Sequence, residues 1–85
     1  MNAEREKVLW RCRRGIRELD SVLMPFAEDC YDELSTIDKA RLRTLLGCQD
    51  TQLLDWILER KIPDEENLQS LINSIIRYSK ESRKT

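Results

Sequence analysis

Apolar side chains recur along the chain at spacings of three and four among charged positions, and no segment sustains a period-two alternation. No Asn-Gly or Asp-Gly pair turns a hairpin, and few β-branched residues stand in runs. The pattern predicts an all-α fold: a small five-helix bundle forming a single domain over 1–85, with its core at about 4–78 and a polar tail over 79–85. The first helix is expected from about Ala3 to Arg13, with Val8, Leu9 and Cys12 inward and Trp10 on a neighbouring face. Gly15 marks a break. Beyond it Leu19, Val22, Leu23, Phe26, Ala27 and Cys30 form one stripe of a second helix, which Pro25 should kink or tighten by a turn.

Ser35 followed by Asp38 reads as a capping box, starting a third helix that turns Leu42, Leu45 and Leu46 inward and stops at Gly47. Asp50 is the candidate N-cap of a short fourth helix carrying Leu53, Leu54, Trp56, Ile57 and Leu58. So continuous an apolar run makes this the helix expected to be most buried, with Trp56 in the core. After Pro63, Asp64 is expected to cap a fifth helix lined by Leu68, Leu71, Ile72, Ile75 and Ile76, with Glu65 and Glu66 at the positive end of its dipole.

Composition narrows the chemistry. A chain of 85 residues buries only about 60–65% of the surface its unfolded form exposes, which leaves little core to hollow into a substrate cavity. There is no His, so Ser-His, Cys-His and His-metal chemistry are excluded. Cys12, Cys30 and Cys48 are odd in number and far apart, which fits reduced thiols packed as small hydrophobes and no metal site. No stretch approaches a membrane span, and Glu4 and Glu6 precede any apolar run, unlike a secretory signal or mitochondrial presequence; a bacterial-type cytoplasmic protein is expected.

The net charge of −1 hides a segregation. From Glu4 to Arg17 six basic residues face two acidic ones; from Glu18 to Glu33 there are six acidic residues and none basic. Solvated faces of two neighbouring helices attracting one another would account for this, at ~0–1 kcal/mol per exposed pair. It leaves Gly15 unexplained, since glycine inside a helix costs about 1 kcal/mol relative to alanine. Either the backbone there takes a positive φ or something approaches closely. Arg14 and Glu18 would make an (i, i+4) pair in the weaker orientation, so Arg-Gly-x-x-Glu reads as a small flat spot between a donor fork and a carboxylate. Trp10, four residues before Arg14, adds an aromatic of the kind that anchors interfaces, unless it packs in the core.

The string from Trp10 to Asp20 (Trp-Arg-Cys-Arg-Arg-Gly-Ile-Arg-Glu-Leu-Asp), then Phe26, Tyr31-Asp32-x-Leu34-Ser35, Leu45-Leu46, Asp50, Leu53, Trp56-Ile57 and Pro63, closely resembles the FAD assembly factors of succinate dehydrogenase, the SdhE family. The resemblance spans about Arg5 to Ile76. It implies a five-helix assembly factor, not an enzyme, that promotes covalent attachment of FAD to a histidine of the flavoprotein subunit of succinate dehydrogenase, and often of the related fumarate reductase. It further implies that Arg14, Gly15 and Glu18 engage the client near its flavin, with Trp10, Arg11, Arg17 and Asp20 beside them. Two positions depart from the family pattern: Leu42 where Phe is frequent, and Glu59 where Gly often follows the Trp-containing helix.

No Gly-rich phosphate loop is present, so the chain is expected to hold no FAD of its own stably; a monomer without a bound metal is also expected. Nucleic acid is not an expected partner, because the acidic stretch after the basic helix would repel phosphate. A second class stays in view from sequence alone: an antitoxin-like regulatory protein binding a small membrane toxin.

Overall fold

The computed structural model describes residues 3–82. Five α-helices follow in order: α1 (Ala3–Cys12), α2 (Arg17–Cys30), α3 (Thr36–Leu46), α4 (Asp50–Ile57) and α5 (Glu66–Ser82), with a 3₁₀ turn at Tyr31–Glu33 between α2 and α3. There is no strand among the described residues, as the apolar periodicity predicts. α2 is the hub, packing against α1, α4 and α5. Its stripe of Leu19, Val22, Leu23, Phe26 and Ala27 is buried, and meets Val8 and Cys12 of α1, Leu45 and Leu46 of α3, Leu53 of α4 and Ile75 of α5 in one continuous core. Among the described residues no charged side chain is buried in that core, and Tyr31 brings a buried hydroxyl into it.

α2, not α4, is the most buried helix. α4 has only two turns, so a single (i, i+4) pair, Leu53 and Ile57, can face inward. Leu54 and Trp56 fall on its flanks, half-buried, and Leu58 just beyond its end is exposed. Trp56 is therefore not the core residue that its neighbours suggested. Cys12 is buried as expected, whereas Cys30 and Cys48 are only half-buried.

The helix ends follow local chemistry in part. Ser35 Oγ accepts from the Asp38 N–H at 3.1 Å, the expected cap, but the Asp38 carboxylate turns to Arg41 instead of closing the box. Gly47 does end α3, in a right-handed conformation, its N–H reaching the Arg43 and Thr44 carbonyls. A Cβ there would stand 3.3 Å from the Thr44 carbonyl oxygen, so crowding, not a left-handed φ, favours glycine. α4 begins one residue earlier in its cap than expected: Gln49 is the N-cap and Asp50 the first helical residue, its carboxylate engaged elsewhere. At α5 it is the Glu65 carbonyl, not Asp64, that opens the helix by accepting from Leu68 and Gln69, while the Gln69 amide ties back to the Pro63 carbonyl at 2.7 Å.

α2 runs through Pro25 to Cys30 without interruption. α5 continues to Ser82, into the segment expected to be a polar tail; Lys80 there lies 3.6 Å from Glu59. The rest of that tail, 83–85, lies outside the described residues. Near the end of α5 the Tyr78 hydroxyl donates to the Asp29 carboxylate while its ring meets Phe26 edge-on, fastening α5 to α2. That hydrogen bond holds the proton on the phenol, pushing its pKa up to about 12.

Candidate functional site

The residues singled out between Trp10 and Asp20 occupy the junction of α1 and α2, and the backbone there explains Gly15. Its φ is +82°, in the left-handed region, and nothing lies within 4 Å of where a Cβ would stand. The glycine is thus required by the turn and at the same time leaves open space outside it. Ile16 follows in an extended conformation, its carbonyl accepting from Leu19 and Asp20 to start α2.

α1 ends at Cys12, so Trp10 and Arg14 do not share a helical face, and Arg14 does not pair with Glu18. The Arg14 guanidinium turns inward across the end of α3. Its Nε donates to Asp50 Oδ1 at 2.6 Å, Nη1 to the Leu46 carbonyl at 2.7 Å and the Arg11 carbonyl at 3.2 Å, and Nη2 to the Cys48 carbonyl at 2.9 Å. Leu46 is the last residue of α3 and Arg11 lies in the last turn of α1, so these carbonyls are among those a helix end leaves without partners. A cation suits both C-termini, and a carboxylate suits the N-terminus of α4. The Arg14 main-chain N–H donates to the Asp20 carboxylate at 2.8 Å, in the first turn of α2. One residue thereby joins the ends of four helices.

The remaining candidates divide into two surfaces. Trp10, 74% exposed, lines a depression with Arg13, Gly15, Asp20 and Met24. Arg17 and Glu18 sit on another face of α2, at the mouth of a groove of about 330 Å³ floored by Val22, Ile57, Leu58 and Ile76. Arg11 is exposed on α1. Among the described residues Arg11, Arg13 and Arg17 form no ion pair, so the basic end of the chain is only partly neutralised by the acidic stretch of α2. Arg5 does meet it, 3.6 Å from Asp32 and bonded to the Glu28 carbonyl. Sequence reading missed Arg13 and Met24 beside Trp10, and the tie between Arg14 and Asp50. The first two are visible only once α1 and α2 are packed, and the tie crosses 36 positions.

Cys12 and Cys30 do not add a nucleophile to this region. Burial pushes Cys12 up to about 11, against the lowering effect of Arg14 and Arg11. Cys30 is also raised, by burial and then by Asp29 and Glu33. What the surface offers is an indole, guanidinium groups, a carboxylate and a flat glycine turn: recognition chemistry.

A family model described as "Flavinator of succinate dehydrogenase" matches residues 6–79, from the first half of α1 to the last turn of α5. The chain belongs to this family. Bacterial relatives match it over most of their length. The FAD assembly factor SdhE of Pseudomonas aeruginosa is 36% identical over 73 residues, which cover 86% of this chain and 87% of that protein. That of a Serratia species is 41% identical over 69 residues, 81% and 78% of the two chains. That of Photorhabdus laumondii is 40% identical over 75 residues, 88% and 85%. No helix among the described residues is long and apolar enough to cross a membrane.

Proposed function

We propose that the protein promotes covalent attachment of FAD to the flavoprotein subunit of succinate dehydrogenase. Membership of the flavinator family across all five helices carries this reading. The relatives named above are all FAD assembly factors, which leaves the antitoxin-like alternative without support. The helper supplies no catalytic group: the histidine and the flavin belong to the client, and binding favours a client state in which the two are aligned, so the gain comes from proximity and orientation. The contact region in this reading joins two surfaces, the Gly15 turn with Trp10, Arg11 and the outer edge of Asp20, positioned by Arg14, and the neighbouring face of α2 that carries Arg17 and Glu18. The protein works as a cytoplasmic monomer, holds no FAD stably itself, and serves the related fumarate reductase subunit as a second client.

The test is covalent flavin fluorescence on the denatured flavoprotein subunit from cells lacking this protein, complemented with wild type, Gly15→Ala or Gly15→Arg. Both variants carry the same backbone strain at φ +82°, and neither side chain meets a neighbour at its Cβ, so they differ only in what projects from the turn. Wild type and Gly15→Ala should restore the fluorescent band and Gly15→Arg should not. Equal restoration by all three would remove the turn from the contact; failure of wild type would sink the client assignment.

A further inference from the structure

We infer that Asp50 is a positioning residue for the client-binding face, acting through Arg14 to hold the turn at Gly15; the inference rests on the reading of that face proposed above. The turn between α1 and α2 has little of its own to define it. Arg13 N–H bonds the Trp10 carbonyl at 3.2 Å on one side, and Ile16 starts α2 on the other. In between, the fixed points belong to Arg14, whose main chain is held by Asp20 and whose side chain is held from α3 and α4. Of the groups that hold the guanidinium, Asp50 alone is a charged side chain, and it makes the shortest contact, at 2.6 Å.

Arg14 is poorly placed to touch a partner directly. Its side chain is 16% exposed and Nε, Nη1 and Nη2 each donate within the chain. A bidentate grip on a client carboxylate would require breaking bonds to α3 and α4 first. What the turn presents outward is Gly15, Trp10 and Arg13. Arg14 therefore determines where these groups stand, and Asp50, distant in sequence and on the far side of the guanidinium, determines where Arg14 stands. Removing the Asp50 carboxylate frees one edge of the fork and lets the turn sample other geometries, and a recognition surface loses affinity when its supporting shell loosens.

The experiment combines Asp50→Ala, Asp50→Asn and Asp50→Glu in the full chain with two readouts. Nitrogen-labelled glycine yields two amide cross-peaks, one for each glycine of the chain, so the Gly15 signal reports the turn directly. Affinity for the isolated flavoprotein subunit is measured well below the lowest melting temperature of the set. Asp50→Ala should shift or broaden the Gly15 peak and weaken binding by about tenfold, and Asp50→Glu should recover most of both. If Asp50→Ala does not fold, Asp50→Asn, which keeps an acceptor and loses the charge, serves in its place. A displaced Gly15 peak with unchanged affinity overturns the inference. So does weakened binding with the Gly15 peak unmoved, since Asp50 would then touch the client itself. A wild-type chain that does not bind the subunit defeats the underlying reading instead.

Discussion

Replacing Arg14 by alanine removes four side-chain hydrogen bonds, three of them at 2.9 Å or shorter. A hydrogen bond to a charged group contributes about 1.5–3 kcal/mol where its partner is left buried. Here the Asp50 side chain is 38% exposed and the carbonyls lie at helix ends, where water can replace the lost donor, so ~0.5–1 kcal/mol for each is the better figure. The sum over the four is ~2–4 kcal/mol, set against a total of ~4–13 kcal/mol for a chain of this size. The melting temperature should fall by ~10–30 °C. Arg14→Lys retains the charge but has no fork to span α3 and α4, so about half of that loss should remain. Arg17→Ala is the control, an exposed arginine without an ion pair, expected within about 0.5 kcal/mol of wild type. Thermal and urea unfolding followed by circular dichroism give all three numbers. If Arg14→Ala melts no lower than Arg17→Ala, the four-helix junction contributes nothing to stability and its description as a clamp is wrong.

Glu59 has φ +62° and an exposed side chain 3.6 Å from Lys80. Glu59→Gly should relieve ~1 kcal/mol of backbone strain and lose a similar amount to unfolded-state entropy, leaving stability within about 0.5 kcal/mol of wild type, while Glu59→Val should cost ~1–2 kcal/mol; urea midpoints decide. Gly15→Ala, strained at φ +82° but free of contacts, should cost ~0.5–1.5 kcal/mol in the same assay. The Cys12 thiol is raised from 9.0 to about 11 in the fold, so the stability gained by keeping it protonated is complete below pH 9 and is lost as pH climbs through 11. In thiolate absorbance titrations of Cys30→Ser/Cys48→Ser protein, Cys12 should ionise near 9 when unfolded and about two pH units higher when native; coincident curves would contradict its burial.

Much of the architecture is legible from side-chain spacing because each helix buries one stripe. Leu19, Val22, Leu23 and Phe26 can be collected only by a helix, and Ser35 announces the next one through a bond that needs no tertiary context. Glu59, flagged as standing where glycine is frequent, does occupy a left-handed backbone position. The errors share a cause. Trp56 and Leu58 look like core by composition, yet a two-turn helix has only one inward edge, and which edge depends on where α2 and α5 lie. Asp50 looks like a cap because local rules make it one, and Asp64 likewise; the competing claim on Asp50 comes from a guanidinium 36 residues away. The same distance hides Arg14, whose charge suggests a surface donor until α3 and α4 close over it.

Four helix ends meeting at one arginine also have a bearing on the order in which the chain matures. Residues 10–20 contain the whole Arg-Gly-x-x-Glu segment, and a ribosome finishes them early. Yet three of the groups that fasten the Arg14 side chain are supplied by positions 46, 48 and 50. A nascent chain halted before Asp50 carries this segment without the carboxylate that fixes the Arg14 side chain. The geometry of the Gly15 turn is thereby a property of the completed fold, and under the function proposed above a fragment ending before Asp50 would meet the flavoprotein without a formed contact face.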